Sequence, residues 1–187
     1  VTYIRLVSRW NRTHAALQQS ALRLFQDQGY DATGTAQIAA DAGVSEVTLF
    51  RHFPTKASLL LDDPFDPRIA AAVRDRPRSE AALTAVVEAV RATWQTLDPD
   101  TVEQLRTRLR LVASTPSLRA AARGDDTPTI DALTSALRAR DVEDAEARVV
   151  ATAVVAGLGA ALLAWSRTEA SSLDAAVGRA LDAMGGR

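Results

Sequence analysis

Apolar residues recur at helical spacing along almost the whole chain. Ala16, Leu17, Ala21, Leu24 and Phe25 mark a helix from about Arg12 to Gln28. Gly29 closes it at the position where a left-handed backbone costs glycine little. After a loop over Tyr30 to Gly34, a short helix runs from Thr35 to about Ala42, with Ile38 and Ala39 inward. Gly43 and Val44 form a tight turn. Ser45 then caps a third helix, Glu46 to Phe53, because its hydroxyl can accept from an unpaired first-turn N–H. Pro54 stops that helix, and Thr55 caps a fourth that begins at Lys56 and Ala57 and carries Leu59, Leu60 and Leu61.

Asp62, Asp63, Pro64, Asp66 and Pro67 interrupt the pattern and mark the best boundary in the chain. The expected division is a first helical unit over 1–61 and a second over 62–187. Helices are expected at Arg68 to Arg76, Glu80 to Leu97 (capped by Ser79), Asp98 to Val112 and Pro116 to Arg123. After the Gly124, Asp125, Asp126 loop come Thr127 to Arg140, Val142 to Arg167 and Ser171 to Met184. The fold class is therefore all-α: a three-helix helix-turn-helix head followed by a helical bundle.

Composition agrees. Aromatic residues are 5% of the chain and hydrophobic residues 47%, with Ala, Leu and Arg abundant, which favours helix over strand. The net charge of −1 carries no overall nucleic-acid signal. Its distribution does, since Arg5, Arg9 and Arg12 precede the first acid, Asp27. The chain has no Cys and only two His, His14 and His52, far apart in sequence, so no metal site and no cofactor are expected. An enzyme reading lacks a nucleophile–base pair or a Gly-x-Ser-x-Gly turn, and no catalytic residue is assigned. A helical protein-binding adaptor would explain the apolar helices but not the Ser45 to Lys56 pattern.

The first residues mix Arg5, Arg9, Trp10 and Asn11, so no signal-peptide apolar run is expected there. The uncharged stretch Val149 to Trp165 is short for a membrane span and is read as a buried helix. Cytoplasmic localisation and no membrane partner are the expectation.

A helix, a glycine turn and a second helix at a steep angle make the helix-turn-helix plan. Leu49 and Phe53 should anchor the third helix on Leu24 and Phe25, leaving Glu46, Val47, Thr48, Arg51 and His52 free for DNA. The series Ala21 to Phe25, Gly29-Tyr30, Thr33, Ile38-Ala39, Ala42 to Ser45, Thr48 to Phe50, His52-Phe53 and Lys56 resembles the DNA-binding domain of tetracycline-repressor-like (TetR) regulators. The resemblance covers about the first third of the chain. It implies that Thr48, Arg51 and His52 face the major groove or its flanking phosphates, and that Lys56 holds a phosphate. It places Thr35 and Gln37 near the DNA backbone. Phe50 stands where the family usually has a phosphate-touching Tyr, and Gly34 where it often has Ser or Thr.

The same resemblance implies a double-stranded DNA operator, a ligand-holding body and a homodimer. Two recognition helices spaced by about 34 Å require two copies. The last two helices are the expected interface, through Ala156, Leu158, Gly159 and Leu162, then Leu173, Val177, Leu181 and Met184. The run Arg108 to Val112 and Thr115 to Ala120, with Asp62-Asp63 and Asp66-Pro67, further resembles regulators with an acyl-CoA-like ligand-binding domain. That resemblance implies a small-molecule effector in an apolar tube. Its walls would be Trp94, Leu97, Leu105, Leu109, Leu133 and Leu137, with Arg110 and Arg119 at an anionic head group. The reading is a repressor released from its operator by that effector.

Overall fold

The computed structural model of the chain describes residues 2–62, 65–122, 127–169 and 171–185, and for residues 2–8 its backbone alone. Every regular element among them is a helix. The expectations that fell on Asp63, Pro64, Gly124, Asp125, Asp126 and the Arg5 side chain lie outside this description.

The head contains α1 (Thr2–Gln28), α2 (Thr35–Asp41), α3 (Glu46–His52) and α4 (Ser58–Leu61). α1 begins about ten residues before the expected Arg12, and Ile4, Val7 and Trp10 carry the helical spacing of its apolar residues upstream. Gly29 and Gly43 both take positive φ, 84° and 69°, which explains glycine at each stop. Ser45 Oγ accepts from Thr48 N at 3.2 Å, the expected cap. Gly34 precedes α2 without any side-chain cap, and Thr35 does not replace it. The Thr55 hydroxyl accepts from Ser58 N at 3.1 Å while Ser58 Oγ accepts from Thr55 N at 3.2 Å, closing the turn into α4.

The body contains α5 (Asp66–Asp75), α6 (Ala82–Trp94), α7 (Pro99–Ser114), α8 (Pro116–Ala122), α9 (Thr127–Arg138), α10 (Asp144–Ser166) and α11 (Leu173–Gly185). α10 lies at its centre and packs against α6, α7, α9 and α11. Ser79 does not cap α6, which starts at Ala82. The reason is Arg140. Its buried guanidinium donates to the carbonyls of Val73, Arg76, Pro77 and Glu80, at 2.5 to 3.3 Å, and so holds residues 76–80 in a turn. Glu80 meanwhile pairs with Arg76. A one-residue charge lever of this kind leaves no periodic trace.

Two apolar cores result. The head core joins Leu17, Ala21, Leu24, Phe25, Ile38, Ala39, Leu49, Phe53, Leu59 and Leu60. It also takes in Leu118 of α8, fully buried, with Leu111 of α7 against it. Burying one leucine is worth about 1.5–3 kcal/mol. The body core unites α5, α6, α7, α9, α10 and α11 around Val73, Val86, Leu137, Val154, Trp165 and Leu181. Arg108 of α7 spans the two parts, donating to the carbonyls of Leu60 (2.6 and 3.1 Å) and Asp62 (2.8 Å) at the end of α4.

Candidate nucleic-acid interface and body sites

The head core fixes which side of α3 is free. Leu49 is fully buried, and Phe53, the residue that ends α3, is buried beneath it, so Val47, Phe50 and Arg51 turn outward. Val47 is 80% exposed and Phe50 45%, so both side chains are available on the outer face of α3. Thr48 lies between them, its hydroxyl 2.9 Å from Ser45 Oγ. Glu46 turns toward α2, where its carboxylate accepts from Thr35 Oγ1 at 2.5 Å. Gln37 of α2 reaches Gln28 of α1 at 3.1 Å. The first turns of α2 and α3 are thus held in one frame.

Two expected contacts come out differently. His52 does not point outward: it is 7% exposed and its ring stacks on Trp10 at 3.6 Å between centroids. The N-terminal extension of α1 carries Trp10 over it. His14 stacks on Phe53 at 4.1 Å and lies 5.7 Å from His52, so the two histidines distant in sequence meet in space. Burial depresses the pKa of both rings, and the charge of each neighbour, His52 for His14 and Arg51 for His52, adds to it. Lys56 is the second difference. Its ammonium donates to the Tyr30 carbonyl and sits 4.3 Å over the Tyr30 ring, so it braces the end of α1. Partial burial lowers its pKa. Arg9, Arg12 and Arg51 are exposed.

In the body, the expected apolar tube is filled. Trp94, Leu105, Leu133 and Leu137 are buried in the core, and Leu97 and Leu109 pack against it. A cavity of about 530 Å³ opens elsewhere, between α1 and α7. Arg110 borders it, and Arg119 is exposed on α8 away from it. Arg167, which ends α10, and Gln26 of α1 also line it, and no sequence motif marks either as a site residue.

The outer face of α10 is apolar and uncovered. Val149 is 67% exposed, and Thr152, Ala153, Ala156, Gly159, Ala160 and Ala164 follow at helical spacing. By length and mean hydropathy (2.0) α10 could cross a membrane, and 22% of its apolar window is buried within the protomer. The interface residues expected on α11 do not share this exposure: Leu173, Val177 and Leu181 are buried in the protomer's own core. Leu158 and Leu162 likewise face inward, and Met184 packs on Gly157, where a Cβ would come within 2.5 Å of its sulfur.

Comparison with known proteins accounts for both parts. Residues 18–62 match the family described as bacterial regulatory proteins, tetR family, and residues 80–187 match the MftR C-terminal domain of the same class of regulators. The chain belongs to the TetR family. A curated relative, the nucleoid occlusion factor SlmA of Citrobacter koseri, is 35% identical over 83 residues, 41% of this TetR-family chain and 42% of that protein. SlmA of Escherichia coli O1:K1 matches to the same extent. The chain therefore spans less than half the length of these relatives. Among solved structures, NalD of Pseudomonas aeruginosa, the secondary repressor of the MexAB-OprM multidrug efflux pump, superposes with a TM-score of 0.54 at 20% identity, over 94% of both chains. SmeT of Stenotrophomonas maltophilia, repressor of the efflux pump SmeDEF, gives 0.55 at 22%, over 91% of this chain and 87% of that one. These likenesses show the helix-turn-helix head and helical body as one fold. As a TetR-family member the chain carries the family's DNA-binding head and its helical C-terminal body, and regulators of this family dimerise and answer small molecules.

Proposed function

We propose that this regulator is a cytoplasmic dimeric repressor that leaves its operator when a small-molecule ligand, fatty acyl-CoA-like or another apolar effector, binds the body. The observation that carries the DNA half is the free face of α3, where Val47, Thr48, Phe50 and Arg51 stand clear of a core that holds the helix rigidly. Apolar side chains there match thymine methyl groups, and Arg51 matches phosphate or guanine. Thr35, Gln37 and Glu46 frame the contact, while Lys56 and His52 act from behind it. The working division keeps 1–61 as the DNA-binding unit and 62–187 as the effector and dimer unit.

The dimer half rests on the uncovered stripe of α10. A two-fold axis across it would bury small residues of both copies against each other, giving an isologous interface. Release then requires the effector to favour a head spacing that mismatches the operator, and it can shift the equilibrium only by that difference in affinity. Arg108 between α7 and α4 supplies a direct path from body to head.

The test is a fluorescence-anisotropy titration of DNA from upstream of the gene, over a range of salt and with palmitoyl-CoA as the added probe. A specific complex whose log affinity falls linearly with log salt supports the reading. Absence of a specific complex at any salt overturns it, and an unchanged affinity with palmitoyl-CoA removes the acyl-CoA class.

A further inference from the structure

The cavity between α1 and α7 brings together groups that no part of the DNA contact or the dimer face uses. Arg110 of α7 and Arg167 at the end of α10 both line it, together with the apolar side chains of Leu111 and Ala113. Arg110 is held in place: its Nε donates to the Ser166 carbonyl at 2.9 Å, which satisfies the electronegative C-terminal end of α10. One of its terminal nitrogens is 3.4 Å from Glu169, a carboxylate so exposed that the pair is weak and readily exchanged. The Arg167 side chain has no hydrogen bond or ion pair among the described residues. Gln26, Thr107 and Ser114 add neutral hydrogen-bonding groups at the rim. The groove, about 530 Å³, is open to solvent along much of its length, so a ligand would lie along it with one side exposed.

We infer that this groove binds a small amphipathic acid, its anionic group (carboxylate, phosphate or sulfonate) between Arg110 and Arg167 and its apolar part on Leu111 and Ala113. Planar guanidiniums suit such oxyanions because they donate two parallel hydrogen bonds. The position matters as much as the chemistry. Leu111 lines the groove and also packs against the head core. Gln26, on the facing wall, belongs to α1 of the head. A ligand here touches head and body together, next to the Arg108 bridge. The inference deepens the effector reading and rests on it for its regulatory meaning. Binding itself is read without DNA, so its failure is distinct from a failure of operator release.

The probe is 8-anilinonaphthalene-1-sulfonate, an aromatic sulfonate, titrated by fluorescence into the full chain. N-phenyl-1-naphthylamine, the same ring system without charge, is the control for binding to the apolar face of α10. Arg167→Gln should weaken sulfonate binding about tenfold and leave the uncharged control unchanged, the size expected for losing one charge-assisted contact. Ala113→Trp should fill the groove and abolish the arginine-dependent binding, with circular dichroism confirming that both variants fold. Equal sulfonate affinity in wild type, Arg167→Gln and Ala113→Trp would overturn the site.

Discussion

Trp10 stacks face to face on His52 at 3.6 Å, joining the N-terminal stretch of α1 to the last turn of the recognition helix. The contact makes His52 a structural residue of the head. Trp10→Ala should lower stability by about 0.5–1.5 kcal/mol, the worth of an aromatic pair, read as a shift in the urea midpoint. DNA affinity should then fall mainly where the head begins to unfold, not at low temperature.

The paired histidines make that stability depend on pH. Both rings are held neutral by burial, with pKa values below the ordinary 6.5. The unfolded chain takes up protons near pH 6.5 and the folded head only at lower pH. Stability is therefore fully present above about 6.5 and declines as the pH falls through and below that value. Urea midpoints measured between pH 8 and pH 5 should show this slope, and His14→Phe should flatten it. A pH-independent midpoint would contradict the buried neutral pair.

On the DNA side, Arg51→Ala should weaken operator binding and reduce the slope of log affinity against log salt by about one if Arg51 contacts phosphate. Phe50→Tyr should tighten binding about two- to tenfold, because the added hydroxyl gains one hydrogen bond to phosphate. Anisotropy titrations at several salt concentrations check both.

Ala156→Arg places a charge in the middle of the small-residue face of α10. Light scattering should report a monomer, and operator binding should drop at least tenfold, while circular dichroism stays helical. A dimer that survives this substitution would move the interface elsewhere.

Arg140→Met keeps the volume of the side chain but strands the carbonyls of Val73, Arg76, Pro77 and Glu80. The Val73 carbonyl is buried and the other three are partly buried and open to water, so a loss of about 1–3 kcal/mol is expected by denaturant unfolding.

The helices were legible because their apolar residues repeat at helical spacing and their ends carry Gly29, Gly43, Ser45 and Pro54. The inward role of Leu49 and Phe53 followed from the same spacing. What spacing cannot carry is a partner distant in sequence. Nothing local to His52 announces Trp10, and nothing local to Lys56 announces the Tyr30 carbonyl. In the body, Leu133 and Leu137 have the periodicity of a wall and of a core alike, and the structure makes them core. Leu173, Val177 and Leu181 were read as interface for the same reason. One helix stripe looks identical whether its own protomer or a second copy covers it.

Leu118 sits in the head core although more than fifty residues separate it from α4. A regulator assembled by grafting this head onto a foreign sensor, cut after residue 61, would carry an open socket where that leucine belongs. Interchangeable parts in such proteins must then be drawn by contact and not by chain order, with α8 travelling beside the head it completes.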